Sequence, residues 1–198
     1  MRQFIILGHD VPTTPDFALN DLPSGGGRID VLCRCVNSAF FLSHGFREDV
    51  RVHLVLSDTL TVQFDGPTLR NLHPDERTIA SRIRNVLEHV DEAIGHMPAE
   101  PSPGVKLFRM GFETTLTRVS REGTVVELHE DGTPIVDVEP PTDPIFVLSD
   151  HHDFTNKEAK LLSEAATTRV RVGPQLLHAD HTITVAHNYL DTDGYSTY

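Results

Sequence analysis

The feature that most constrains the fold is the alternation in the last third of the chain. An apolar stretch "PIFVLSD" precedes a helical stretch from Asn156 to Ala165. A second strand pattern "TTRVRVG", the loop "PQLLHAD" and the helical "HTITVAHNYLD" follow. Strands separated by helices do not pair as hairpins; they lie parallel, with helices packed on the sheet. In such sheets ligands sit beyond the carboxyl ends of the strands, and "LSDHHDF" and "VGPQLLHADH" both leave such ends. The terminal helix carries Ile183, Val185, Ala186, Tyr189 and Leu190, apolar over most of its surface. It must therefore be buried by the fold or by another subunit.

The rest of the chain fits the same plan. "RQFIILG" predicts a first strand, followed by a Pro/Gly-rich segment over 11–27. Ile29, Leu32, Cys33, Val36 and Phe40 fall at i, i+3, i+4, i+7 and i+11, which is one face of a helix. "VRVHLVLS" and "LTVQFDG" flank Asp58 and Thr59 and predict a β-hairpin. A long helix opening at Asp75 places Ile79, Ile83, Val86, Leu87, Val90 and Ile94 on its buried face. "VKLFRMG" predicts a strand and "FETTLTRVS" a short helix, while "TVVELHEDGTPIVDV" predicts two short strands around an Asp131-Gly132 turn. The expected fold class is α/β with a mostly parallel sheet, in one domain of 198 residues.

Charge limits the partners. Asp and Glu total 29 against 17 basic residues, a net charge of −12, and only Lys106, Lys157 and Lys160 are lysines. An acidic, lysine-poor surface that keeps its arginines suits concentrated salt, where the Debye length falls to about 3 Å at 1 M. In dilute salt such a charge argues against nucleic-acid partners; in a salty cell that objection weakens. No stretch reaches the roughly 18 apolar residues that would span a bilayer. Cys33 and Cys35, two apart within a helical pattern, cannot readily be bridged. A reducing cytoplasm is the expected location.

Generic motifs exclude more than they identify. "GGGRID" at Gly25, Gly26 and Gly27 fits neither G-x-G-x-x-G nor G-x-x-x-x-G-K-[ST], and no lysine is near it, so a nucleotide-phosphate loop is not expected. The helix after it has a second face, Arg28 leading into Asp30, Arg34, Asn37 and Phe41. Its arginines could hold phosphates and Asp30 could accept a proton. Spacing alone favours a solvated face with an ordinary Asp30–Arg34 pair. "SDHHD" places Ser149, His151, His152 and Asp153 after a strand, yet neighbouring histidines point apart and no third distant ligand stands out, so no metal is expected. No G-x-S-x-G elbow and no C-x-x-C occur.

Two long stretches carry a family resemblance. "GGGRIDVLCRCVNSAFFLSHGFR" and "VGPQLLHADHTITVAHNYLD" together resemble the archaeal tRNA pseudouridine-54 N1-methyltransferases of the SPOUT superfamily, with similarity from Met1 to about Asp193. The resemblance implies a SPOUT fold with a C-terminal trefoil knot over about residues 124–193, and a homodimer with no membrane association. It implies S-adenosylmethionine as cofactor, bound by knot loops at Leu128, Leu148, Ser149, Asp153, Val172, Gly173, Leu177 and Thr182. Asp153 stands where relatives often have Gly, and Thr182 where they often have Cys. An Asp beside the methionine carboxylate repels it, so Asp153 is expected to turn outward.

The implied reaction is methylation of N1 of pseudouridine in the T-loop of tRNA, with Arg28, Asp30 and Arg34 on the substrate side and Asp30 as the base. The glycines before them are expected to let RNA or the methionine end of the cofactor approach closely. Other substrates of the same fold, in rRNA or elsewhere in tRNA, and a non-catalytic RNA-binding dimer are the alternatives.

Overall fold

A computed structural model describes residues 1–198. In chain order the elements are β1 (Arg2–Gly8), α1 (Ile29–Phe40), β2 (Phe41–Leu42), β3 (Gly45–Phe46), β4 (Val50–Leu56), β5 (Leu60–Asp65) and α2 (Glu76–Leu87). There follow β6 (Ala99–Ser102), β7 (Val105–Phe108), α3 (Phe112–Val119), β8 (Thr124–Pro134), β9 (Pro144–Ser149), α4 (Asn156–Ala165), β10 (Thr168–Arg171) and α5 (Ala179–Asp191). Eight strands form one sheet in the order β10-β8-β9-β1-β4-β5-β7-β6. Pairing is parallel from β10 across to β4 and antiparallel from β4 to β6. The expected α/β class with a mostly parallel sheet is the observed one.

Alternation along β1 and β9 separates two cores. Phe4, Ile6, Phe146 and Leu148 face a layer containing α1, α2 and α5. Ile5, Leu7, Ile145 and Val147 face α3 and α4. Strands buried on both sides read as continuous apolar runs, which is why "FIIL" and "IFVL" show no period of two. The α1 stripe Ile29, Leu32, Cys33, Val36 and Phe40 is fully buried, and both cysteines are free thiols. Asp75 caps α2 through the Thr78 amide at 2.8 Å.

The apolar terminal helix is covered by the chain itself. Ile183, Ala186 and Tyr189 are buried, Val185 and Leu190 half-buried. Arg2 Nη1 donates to Asp191 Oδ1 at 2.6 Å and Arg47 Nη1 to the same oxygen at 3.0 Å. The Tyr189 hydroxyl donates to the Val138 carbonyl. These bonds pin the last turn of α5 against β1, the segment after β3 and the segment after β8.

Two expectations fail. Thr124–Pro134 is one strand, not two around a turn. Its pairing with β10 jumps from Glu127 to Thr133, so the register shifts there and residues 128–132 have no ladder partner on that strand. Gly132 serves close approach: a Cβ there would lie 2.4 Å from the Val170 backbone. The other failure is Ile94, which is 71% exposed. The α2 periodicity stops at Leu87, and Ile94 instead forms a tight turn with Met97 around Gly95, whose φ is +58°.

Candidate functional site

Three segments at the carboxyl end of the parallel strands enclose a cavity of about 510 Å³: residues 128–130, 148–154 and 170–179, with Thr182. That volume lies within the roughly 300–1,000 Å³ of small-molecule sites. All eight positions expected to hold a cofactor line it: Leu128, Leu148, Ser149, Asp153, Val172, Gly173, Leu177 and Thr182. Leu128 and Leu148 are buried and make its floor. Leu177 and Val172 add apolar wall, while Asp153 and Arg171 are exposed on the rim. Nothing lies within 4 Å of where a Gly173 Cβ would stand, so bare backbone there faces open space. Apolar walls, two hydroxyls and uncovered backbone suit a flat heteroaromatic ring with a polar tail.

The loop after β9 is held from beneath by His9. The His9 main-chain amide donates to Asp150 Oδ2 at 3.0 Å, and its Nδ1 lies 3.0 Å from Asp150 Oδ1. Nε2 lies 3.1 Å from Glu158 Oε2. The Asp150 hydrogen bond, with help from Glu158 and against the cost of burial, raises the His9 pKa to about 9. Burial pushes the Asp150 carboxyl up, but His9 and the His152 amide outweigh it and hold it below the ordinary carboxylate range. The "SDHHD" residues are thus engaged internally: His152 Nε2 sits 3.2 Å from Asp10 and His151 Nδ1 3.5 Å from Asp150.

The second cluster stands at the start of α1. Arg28 Nε donates to Asp30 Oδ1 at 3.1 Å, and Arg34 Nη1 donates to Asp30 Oδ2 at 2.7 Å. The expected i,i+4 pair is present, but Asp30 itself is buried, only 3% exposed, beneath two partly exposed arginines. Burial raises the Asp30 pKa, and the two arginines more than reverse that, leaving it lowered and the carboxylate charged. Arg34 reaches further, to Asp180 at 3.7 Å and Glu76 at 3.7 Å. Asp180 sits in the first turn of α5 between Ala179 and Thr182, which line the cavity, so this turn joins the two clusters.

The glycines before α1 do not behave as expected. A Cβ on Gly26 would lie 2.6 Å from the Leu22 carbonyl oxygen. One on Gly27, at φ +55°, would lie 2.1 Å from that of Asp10. The bare backbone there packs against the chain's own carbonyls, leaving no room for RNA or cofactor against Gly26 or Gly27. Sequence reasoning also missed His9 and Asp180. The signal for His9 was its place directly after β1, at the carboxyl end of a parallel strand.

Over residues 1–195 the chain matches the family described as "Putative SAM-dependent RNA methyltransferase". It is 70% identical to the tRNA (pseudouridine(54)-N(1))-methyltransferase of Haloferax volcanii and 66% identical to that of Haloarcula marismortui, over the full length of each chain. The Thermococcus kodakarensis protein of the same name is 41% identical, covering 96% of this chain and 99% of its own. The fold resembles Archaeoglobus fulgidus Nep1, crystallised with S-adenosylhomocysteine, at a TM-score of 0.66 and 12% identity over 96% of this chain and 99% of that one. On these matches the chain belongs to the archaeal tRNA (pseudouridine(54)-N(1))-methyltransferase family.

Proposed function

We propose that this protein transfers the methyl group of S-adenosylmethionine to N1 of pseudouridine 54 in the T-loop of tRNA. The observation that carries the reading is the single cavity into which the fold gathers all eight positions named for the cofactor. Leu128, Leu148, Val172 and Leu177 offer an apolar slot for adenine, with backbone groups at its edge. Ser149, Thr182 and the Gly173 backbone also line the cavity and would hold the polar tail. Arg171, exposed on the rim and without a carboxylate partner, would draw the methionine carboxylate and offset Asp153. When bound, the cofactor supplies a methyl group activated by its sulfonium.

The acceptor N1 carries a proton that must leave as the new bond forms, and Asp30 is the residue we assign to take it. Arg28 and Arg34 keep Asp30 ionised and present cations to T-loop phosphates. Arg77, Arg82 and Arg84 on α2, and Arg70 before it, lack carboxylate partners and add cations available to RNA. A target base inside a structured loop must be turned out of its stack to reach the site.

Residues 1–198 then act as one SPOUT domain, knotted over about 124–193. In support, α4 packs on one face of the sheet and α5 on the other, so the chain between them crosses beside the 128–132 segment. A homodimer would cover Leu176, which is 77% exposed at the cavity rim. The reading carries a cytoplasmic location, in keeping with two free buried thiols, and no helix is long and apolar enough to cross a membrane. The test uses labelled S-adenosylmethionine and two tRNA transcripts, with and without pseudouridine 54, followed by nucleoside mapping. Label in N1-methylpseudouridine from the modified transcript alone is expected. Label in any other nucleoside, or in both transcripts, overturns the reading.

A further inference from the structure

We infer that His9 is a positioning residue: its imidazolium, donating to Asp150 and Glu158 together, holds the cavity loop over residues 149–154 in its binding shape. The inference rests on the reading that this cavity takes the cofactor. Asp150 lies at the root of the loop, its side chain 1% exposed. Both its oxygens are used: Oδ2 accepts the His9 amide at 3.0 Å, and Oδ1 faces Nδ1 at 3.0 Å and accepts the His152 amide at 2.9 Å. On the other side, Glu158 Oε2 faces Nε2 and also accepts the Thr155 amide at 2.7 Å, closing the N-terminus of α4. The Ser57 hydroxyl anchors the His9 carbonyl at 2.8 Å. One ring thus ties the end of β1 to both ends of the loop.

Two carboxylates can be bridged this way only by a ring with two N–H groups. A neutral imidazole has one, so one carboxylate would face a lone pair, and Asp150 is too buried to find water instead. The other charged or titratable groups nearby are His152, whose ring centroid is 5.8 Å from that of His9, Asp10 paired with His152, and His151 beside Asp150. The raised pKa of about 9 agrees with a ring held charged. No atom of His9 lines the cavity. It acts through the loop.

The test is calorimetric affinity for S-adenosylhomocysteine from about pH 7 to about pH 10, on the intact wild type, His9→Gln and Gly173→Val. His9→Gln should bind at least about tenfold more weakly at neutral pH, the size seen for residues that orient a site's direct contacts. That deficit should shrink as the pH passes about 9, where the wild type loses its second N–H. The ligand's own amino group titrates equally in both proteins and cancels in the ratio. Wild-type affinity in His9→Gln, or a ratio constant to high pH, overturns the inference. Should His9→Gln not fold, the wild type alone decides. Its ring resonances in NMR should titrate near 9, and the His152 and Thr155 amides should lose exchange protection over the same range. A ring titrating near 6.5, or protection unchanged, overturns it equally. Gly173→Val separates the underlying reading: wild-type affinity in that variant refutes the cavity as cofactor site, whatever His9 does.

Discussion

The cavity and the Asp30 cluster lie at either side of one helical turn and are built on opposite principles. The cavity is made of strand ends and the loops that leave them, with uncovered backbone at Gly173 and no direct ion pair from most of its walls. The Asp30 cluster is made of side chains: a buried carboxylate gripped by two arginines, one of which also approaches Asp180 and Glu76. A loop-built site recognises by shape and backbone, so it should tolerate changes of side chain at exposed rim positions such as Asp153. A charge-built site tolerates little, because removing one partner strands another in a poorly solvated place.

The largest expected effect breaks the charge-built side. Asp30→Asn keeps the shape and removes the acceptor charge. Single-turnover rates at saturating tRNA and cofactor should fall by roughly 10²–10⁴-fold, with cofactor affinity unchanged. A near-normal rate with weaker tRNA binding would make Asp30 an anchor for Arg34 and leave the base elsewhere.

Next, two glycines set the regions apart. Gly173→Val meets no neighbour within 4 Å, so the melting temperature should hold while cofactor affinity drops about 100-fold, or about 2.7 kcal/mol. Gly27→Ala should do the reverse, destabilising the fold by at least about 1–2 kcal/mol through its left-handed φ and the Asp10 carbonyl. Equal effects from the two variants in thermal melts would erase the distinction.

Acid should attack neither site first. Burial, with nearby arginines, pushes the pKa values of His53 and His187 down to about 3. A depressed folded pKa contributes stability above the unfolded value of 6.5, lost as pH falls from there toward 3. Each histidine then costs about 1.4 kcal/mol per pH unit over that window, while burial raises the Asp30 pKa but its two arginines more than reverse that and hold it below the ordinary carboxylate range. Urea melts from about pH 7 to about pH 4 should show this slope, and His53→Gln should flatten part of it; a flat profile would contradict the buried neutral state.

The smallest effect concerns the rim. Asp153→Gly should tighten cofactor binding only a few-fold in dilute buffer, and the gain should vanish at about 1 M salt, where exposed charges are screened. A gain that survives high salt would place Asp153 inside the site.

Much of this was legible in sequence because period and position act locally. The α1 stripe, the β4–β5 hairpin and the loops beyond β9 and β10 follow from spacing and from the rule that ligands sit at strand ends. The positions carried by resemblance converge on one cavity. What failed depended on distant chain. Asp131-Gly132 has the composition of a hairpin turn, yet Gly132 is bare because the Val170 backbone passes against it. Gly26 and Gly27 suggested room for a ligand and instead make room for Leu22 and Asp10. The place of His9 after a strand was legible but its role was not, because its partners, Asp150 and Glu158, lie more than a hundred residues away along the chain.

The central claim is that the loop-built cavity holds the cofactor and leaves the Asp30 side to RNA. A crystal structure with S-adenosylhomocysteine tests it most directly. The account predicts the ligand between Leu128, Leu148, Val172 and Leu177, its polar tail toward Thr182 and the α5 turn, with Arg28 and Arg34 still on Asp30. A ligand seated against Arg28 and Asp30, with the cavity between β8 and β10 vacant, would contradict it.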